Sequence, residues 1–283
     1  MTPQSGLTFS FTDTVGINFE TSGSGRHCIL FLHGFGASLR NWDDIRLNLP
    51  VGFRCFFLDL KGFGFSSKPR GSDYSIKTQA DVISAFIVWQ NLSEVTLVGH
   101  SYGGGVALLT YLHQRALGTQ GIIASIVLID SVGYGQRLPI FVDSFRLPLA
   151  HYFLSWIPRR LQVAYSLRQA FYNRSLISKE LIDRYTFFYS LPDALESFGQ
   201  AAKQAVPDNQ PEIEKLFKKI DVPALILWGR EDDIVPFAHA LCFAQDLPDA
   251  TLIALGSCGH IPQEEQPALT VRLLCDFLEE RNR

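Results

Sequence analysis

Gly99-His100-Ser101-Tyr102-Gly103 follows the apolar run Val95–Val98 and opens an apolar, helix-like stretch near Gly104. A serine on such a strand-to-helix turn rests on strained backbone with its hydroxyl turned outward. Glycines flank it because side chains there would strike the adjacent strand or helix. A serine hydroxyl is a weak nucleophile near neutral pH and needs a base to take its proton as it attacks. Among the seven histidines, His260 in Gly259-His260-Ile261-Pro262 comes directly after the last apolar run and before the C-terminal helix. That is where a loop can return to the serine. His33 follows the run Ile29–Leu32, and His100 adjoins the serine with its side chain forced elsewhere by the turn, so both read as structural. His27, His113, His151 and His239 lack such a setting and read as ordinary surface or core histidines.

A histidine base needs a carboxylate to hold its tautomer and stabilise the imidazolium. The segment Trp228-Gly229-Arg230-Glu231-Asp232-Asp233-Ile234-Val235-Pro236 follows an apolar run and supplies three acids in a row. Asp130, closing Leu128-Ile129-Asp130, is the rival. The chain order serine, acid, histidine suits each of them. Attack on a carbonyl also creates an oxyanion, and losing one backbone donor to it typically costs about 2.7–4 kcal/mol of barrier. Two amides are well placed: Tyr102, next to the serine, and Phe35 in His33-Gly34-Phe35-Gly36, whose plainer reading is a glycine turn.

These residues need a scaffold that brings distant loops to one edge. Short apolar runs bounded by turn residues recur at Cys28–Leu32, Cys55–Leu60, Val95–Gly99, Ile122–Asp130, Ala224–Gly229 and Thr251–Leu255, the lengths of buried strands. Helix-like stretches at Ile76–Asn91, Gly104–Ala116 and Phe237–Asp246 alternate with them, as a parallel α/β sheet requires. Leu7–Glu20 reads as an antiparallel edge hairpin, and Pro236 and Pro267 stand where helices can begin.

The alternation stops at Gly133 and resumes near Val222, with helical character and no convincing strand between. The expected organisation is a core of residues 1–132 and 207–283 with a helical lid inserted over 133–206. Leu138–Leu161 is rich in Phe, Leu, Tyr and Trp but carries Asp143, Arg146 and three prolines, so it is no membrane span. Ser178 followed by Leu181, Ile182, Tyr185 and Phe188 predicts a capped amphipathic helix closed by Pro192.

The 283 residues, 47% of them hydrophobic, suffice for one large core plus an insertion. A net charge of −3 with scattered Lys and Arg argues against nucleic acid as a partner. The start of the chain lacks a secretory pattern, and no stretch reaches about 18 apolar residues. The expectation is therefore a soluble cytoplasmic protein without a transmembrane segment. Cys28 and Cys55 lie within apolar runs, as reduced, buried thiols do, and no cysteine pattern has metal-site spacing.

Taken together, His33-Gly34-Phe35-Gly36, the run Asp59-Leu60-Lys61-Gly62-Phe63-Gly64-Phe65-Ser66, the Ser101 turn, the Trp228–Pro236 loop and Gly259-His260 resemble the α/β-hydrolase superfamily over nearly the whole core. The resemblance implies a mostly parallel central sheet with helices on both faces and an inserted helical lid. It assigns the acid to Asp232 through the pattern Trp-Gly-x-x-Asp-x-x-Val-Pro, makes Asp59 structural, and calls for no metal or organic cofactor. Relatives that open epoxides or cleave carbon–halogen bonds carry aspartate where this chain has Ser101. The carbon–carbon bond hydrolases of aromatic breakdown usually carry Asn before the nucleophile and Trp after the histidine, where this chain has His100 and Ile261. The implied activity is thus a serine hydrolase cleaving a small-molecule carboxylic ester of small or medium apolar acyl or aromatic type. Carbon–carbon hydrolysis, a cofactor-free perhydrolase and a ligand receptor on the same fold are the alternatives. The lid aromatics Phe141, Phe145, Tyr152, Phe153 and Trp156 are expected to cover the apolar group of the substrate, although packing of the lid on the core would also employ them.

Overall fold

The computed structural model describes residues 6–49, 52–119, 121–146 and 156–281. Eight strands form one sheet: β1 (Leu7–Thr12), β2 (Val15–Ser22), β3 (His27–Leu32), β4 (Phe53–Leu58), β5 (Val95–His100), β6 (Ile123–Ile129), β7 (Ala224–Gly229) and β8 (Ala250–Leu255). Their spatial order is β1-β2-β4-β3-β5-β6-β7-β8. The β1–β2 hairpin and its junction with β4 are antiparallel, and every pairing from β4 through β8 is parallel. Burial follows position in the sheet. Central β5 is buried at every residue, as a strand covered on both faces must be, whereas edge strand β1 is mostly open to solvent.

Alternate side chains of each strand feed two cores. From β3, Cys28, Leu30 and Leu32 join helices α1 (Ile76–Trp89), α2 (Tyr102–Ala116) and, farther on, Ala240 and Phe243. Ile29 and Phe31 face the opposite layer, made by Leu39, Trp42, Ile45 and the C-terminal helix with Val271, Leu274 and Phe277. Helices therefore cover both faces. Ser75 caps α1 by accepting from the Thr78 amide at 3.2 Å.

Between β6 and β7 the described residues contain helices and no strand: α3 (Arg159–Ala170), α4 (Lys179–Tyr189) and α5 (Ala194–Lys203), preceded by the single turn Ile140–Asp143 and followed by Gln210–Glu214. Ser178 caps α4 through the Leu181 amide at 3.1 Å. After β7 come α6 (Ala238–Asp246) and, after β8, α7 (Pro267–Arg281). A helix start was expected at Pro236; α6 begins two residues later because the Pro236 carbonyl is taken by the His239 amide in a preceding turn. The strand expected to run to Leu60 stops at Leu58, where the chain turns around the Asp59 carboxylate. No described helix is long and apolar enough to cross a membrane.

Asp59 organises the core beside the sheet edge that holds the site. Its Oδ1 accepts from the Leu39 amide at 2.7 Å, and its Oδ2 from Asn18 Nδ2 at 2.7 Å and the Phe65 amide at 2.8 Å. Burial outweighs these donors and pushes the carboxyl up to about 6. An amide at this position would turn N–H groups toward donors, so Asp59→Asn is expected to destabilise the fold by about 2–3 kcal/mol. Because this carboxyl holds its proton more tightly folded than unfolded, its contribution to stability falls as pH rises from about 4 through about 6. Urea midpoints of parent and variant between pH 4 and 7 test both points; equal midpoints throughout would contradict them.

Candidate active site

The C-terminal ends of the parallel strands gather the polar residues singled out above. Ser101 follows β5 with φ 51° and ψ −117°, a left-handed conformation that a non-glycine residue adopts only at a cost of about 1–3 kcal/mol. The turn is over-determined by its neighbours. A Cβ on Gly99 would lie 2.4 Å from the Gly103 carbonyl oxygen, and one on Gly103 would lie 2.2 Å from that of Leu32. The tightness that forces glycine at both places also holds the serine hydroxyl away from the sheet.

His260 arrives from the loop after β8. Its Nε2 lies 2.9 Å from Ser101 Oγ, and its Nδ1 lies 2.8 Å from Asp232 Oδ2. An ionised carboxylate only accepts, so Nδ1 carries the hydrogen and Nε2 is left to accept the serine proton. Asp232 is fixed in turn: its Oδ1 accepts from the Ile234 and Val235 amides at 2.7 and 3.0 Å. All three side chains are buried, with residual exposure of 6–8%. A hydroxyl, an imidazole and a carboxylate in this series can move a proton off the hydroxyl as it attacks an electrophile.

The backbone of His260 is held from two sides. Its amide donates to the Ala170 carbonyl at the end of α3 at 2.7 Å, and its carbonyl accepts from His100 Nε2 at 2.7 Å. His100 is fully enclosed, and burial lowers its basicity well below the usual imidazole value. It acts as a neutral strut. His33 is a second one. Its Nδ1–H donates to the Gly34 carbonyl at 2.7 Å, its Nε2 accepts from the Leu60 amide at 3.0 Å, and burial pushes it down to about 4. It ties the His33–Gly36 loop, including Phe35, to the end of β4. Tyr102 opens α2, so its amide has no intrahelical carbonyl to serve.

Asp130, the rival acid, directly follows β6 with φ 43° and is wholly buried. Its Oδ1 accepts from the Gly229 amide at 2.9 Å, and His260 Nδ1 is bonded to Asp232 instead. Asp130, Asp232 and His260 offer ligand atoms within 4.8 Å of one another. A cation there would have to displace the imidazole N–H that Asp232 already accepts, so the cluster fits a hydrogen-bonded chain better than a metal centre.

Ser101 and His260 open into a chamber of about 160 Å³ between the sheet edge and the inserted helices. A water site takes about 10–15 Å³ on this scale, so a small organic group fits. Phe35, Tyr102, Phe141 and Phe145 line it, joined by Leu167 of α3, Tyr185 and Tyr189 of α4, and Phe198 of α5. The Phe35 ring packs against Phe63, Tyr102, Phe145 and Phe198 at 5.5–6.3 Å between centroids. Trp156 corrects the sequence expectation: it is 75% exposed and absent from the lining, standing beside the exposed Ile157 in the turn that precedes α3. Tyr152 and Phe153 lie outside the described residues. Sequence reasoning does not single out Tyr185, Tyr189 or Phe198 as pocket residues; the period of the Ser178-capped helix points to an inward face that includes Tyr185 without saying what it meets, and Phe198 lies on the next helix, α5.

Helix α4 is also tied to the His260 loop by polar groups. Arg184 Nη2 pairs with Glu264 Oε1 at 2.7 Å, and the Tyr185 hydroxyl donates to Glu264 Oε2 at 3.1 Å. Asn41 Nδ2 donates to that hydroxyl at 3.1 Å and receives Gln263 Nε2 at 2.8 Å on its own oxygen. Burial raises the Glu264 carboxyl against the opposing pull of Arg184.

Residues 28–267 match the family model for the alpha/beta hydrolase fold. An uncharacterized hydrolase, YugF, of Bacillus subtilis is 29% identical over 270 residues, covering 94% of this chain and 96% of its own. A 2-hydroxymuconate semialdehyde hydrolase of Pseudomonas sp. strain CF600 is 27% identical over 93% of this chain and 90% of its own. Among solved structures, the meta-cleavage product hydrolase CumD of Pseudomonas fluorescens superposes with a TM-score of 0.82 at 25% identity over 98% of both chains. A thermophilic esterase from Thermogutta terrifontis superposes at 0.80 with 21% identity over 99% of both, a likeness of fold.

Proposed function

Since the chain belongs to the α/β-hydrolase fold family, we propose that it is a serine ester hydrolase for small or medium apolar acyl or aromatic substrates. Ser101 attacks the ester carbonyl while His260 takes its proton. The Phe35 and Tyr102 amides hold the oxyanion, and His260 then protonates the departing alcohol. Water activated by His260 releases the acid from the acyl-enzyme. Asp232 keeps the imidazole in the tautomer that both halves need.

The observation that carries the reading is the Ser101–His260–Asp232 chain opening onto an apolar chamber. Among the described residues lining that chamber there is no Lys or Arg, and residues 147–155 contain none either. Arg159 lies over the Tyr189 ring, 5.8 Å from its centroid, and is not part of the lining. The second reading, carbon–carbon hydrolysis, is favoured by the CumD likeness and by relatives such as a 2-hydroxy-6-oxo-2,4-heptadienoate hydrolase of Pseudomonas putida, 27% identical. That relative's substrate, as its name states, is a carboxylate. An anion buried without a cation is costly, which tilts the balance toward neutral esters.

The test is turnover of nitrophenyl esters from acetyl to long acyl chains alongside a vinylogous diketone acid. Ester cleavage with a maximum at short or medium chains is expected, since about 160 Å³ is room for roughly 11–16 water-sized groups, which the alcohol and acyl halves must share. Cleavage of the diketone acid alone would replace the ester reading with the carbon–carbon one.

A further inference from the structure

Hydrogen-bond donors are unevenly shared between the paired acids. Asp232 accepts three N–H groups: the Ile234 and Val235 amides and His260 Nδ1. Asp130 accepts one, the Gly229 amide, at Oδ1. Its Oδ2 is buried with no donor reaching it. Ligand atoms of both carboxyls and of His260 fall within 4.8 Å of one another. Two carboxylates this close, out of water and with no cation between them, cannot both be ionised without a large penalty, so one proton must be shared. The acid with three donors is the one stabilised as an anion.

We infer that Asp130 is a protonated positioning residue that donates its Oδ2–H to Asp232 behind the triad. The inference rests on the assignment of Asp232 as the acid of His260. The ionisable groups facing Asp130 are Asp232, Glu265 on the turn after His260, the Cys258 thiol and His260, and the acids among them oppose a second negative charge. Burial and those charges push the Asp130 carboxyl well above the usual range. The left-handed backbone of Asp130 keeps its side chain at this point. A neutral donor from this side occupies Asp232 without competing for His260, fixing the carboxylate plane toward Nδ1 and spreading its charge.

Asp130→Asn and Asp130→Ala separate this role from others. Asparagine retains an Oδ1 acceptor for Gly229 and an N–H donor for Asp232; alanine supplies neither. The expected infrared spectrum of the parent at pH 7 contains the C=O stretch of a protonated carboxyl that both substitutions remove. Asp130→Asn is expected to keep kcat within about threefold. Asp130→Ala is expected to lower kcat about tenfold at unchanged KM, the worth of roughly one hydrogen bond, and to move the acid limb of the kcat/KM profile up by about half a unit. No such band lost from the parent, or Asp130→Asn as damaging as Asp232→Asn, would overturn the proposal. The infrared measurement needs no turnover, so it judges Asp130 even if loss of Ser101 proves harmless and the triad reading fails.

Discussion

Ser101→Ala is expected to lower kcat by about a million-fold, the scale on which triad enzymes lose activity when the nucleophile is removed. The alanine methyl occupies the place of the hydroxyl's carbon, and the left-handed turn is as costly for alanine as for serine, so the fold should persist. What disappears is the atom 2.9 Å from His260 Nε2. A melting temperature within a few degrees of the parent, with loss of both ester turnover and labelling by a fluorophosphonate, is the expected pair of results. Retention of turnover would mean that water attacks the substrate directly or that another residue forms the covalent bond.

Asp232→Asn should cost about ten-thousand-fold in kcat through a change of tautomer. The variant's Oδ1 would stay with the Ile234 and Val235 amides, since only an acceptor satisfies them. That leaves the amide nitrogen facing His260 Nδ1, where Asp232 Oδ2 stands at 2.8 Å. The imidazole must then accept at Nδ1 and carry its hydrogen at Nε2, so it meets Ser101 Oγ as a donor and cannot take the serine proton. Pre-steady-state acyl-enzyme formation measures the step directly. A loss below about tenfold would shift the acid role toward Asp130, whose carboxyl lies in the same cluster.

The parts of this site that can be read along the chain are those set by local chemistry. A strand, a glycine-flanked serine and a helix make a strained turn wherever they occur in that order. The central strands declare themselves as uninterrupted apolar runs because both their faces are covered. Loop residues such as Phe35 and His260 could be placed because each directly follows such a run. Asp232 needed more than spacing, since Glu231, Asp233 and Asp130 are also acids at strand ends; a family pattern separated them on paper.

Tertiary structure alone decided what depends on direction across space. Asp130 and Asp232 follow the adjacent strands β6 and β7, and only the folded structure shows Asp232 bonded to His260 and Asp130 to the Gly229 amide. Phe145 and Trp156 lie in short turns, where no helical period fixes a face, so sequence could not tell that the first turns into the chamber while the second turns to solvent. His100 and His33 were read as structural from their positions, but their work as neutral struts depends on burial and on carbonyl and amide partners from other segments. The Arg184–Glu264 pair joins residues 80 positions apart. Local sequence sets turn and strand chemistry over a few residues, whereas the protonation and facing of buried side chains are set by neighbours that only folding supplies.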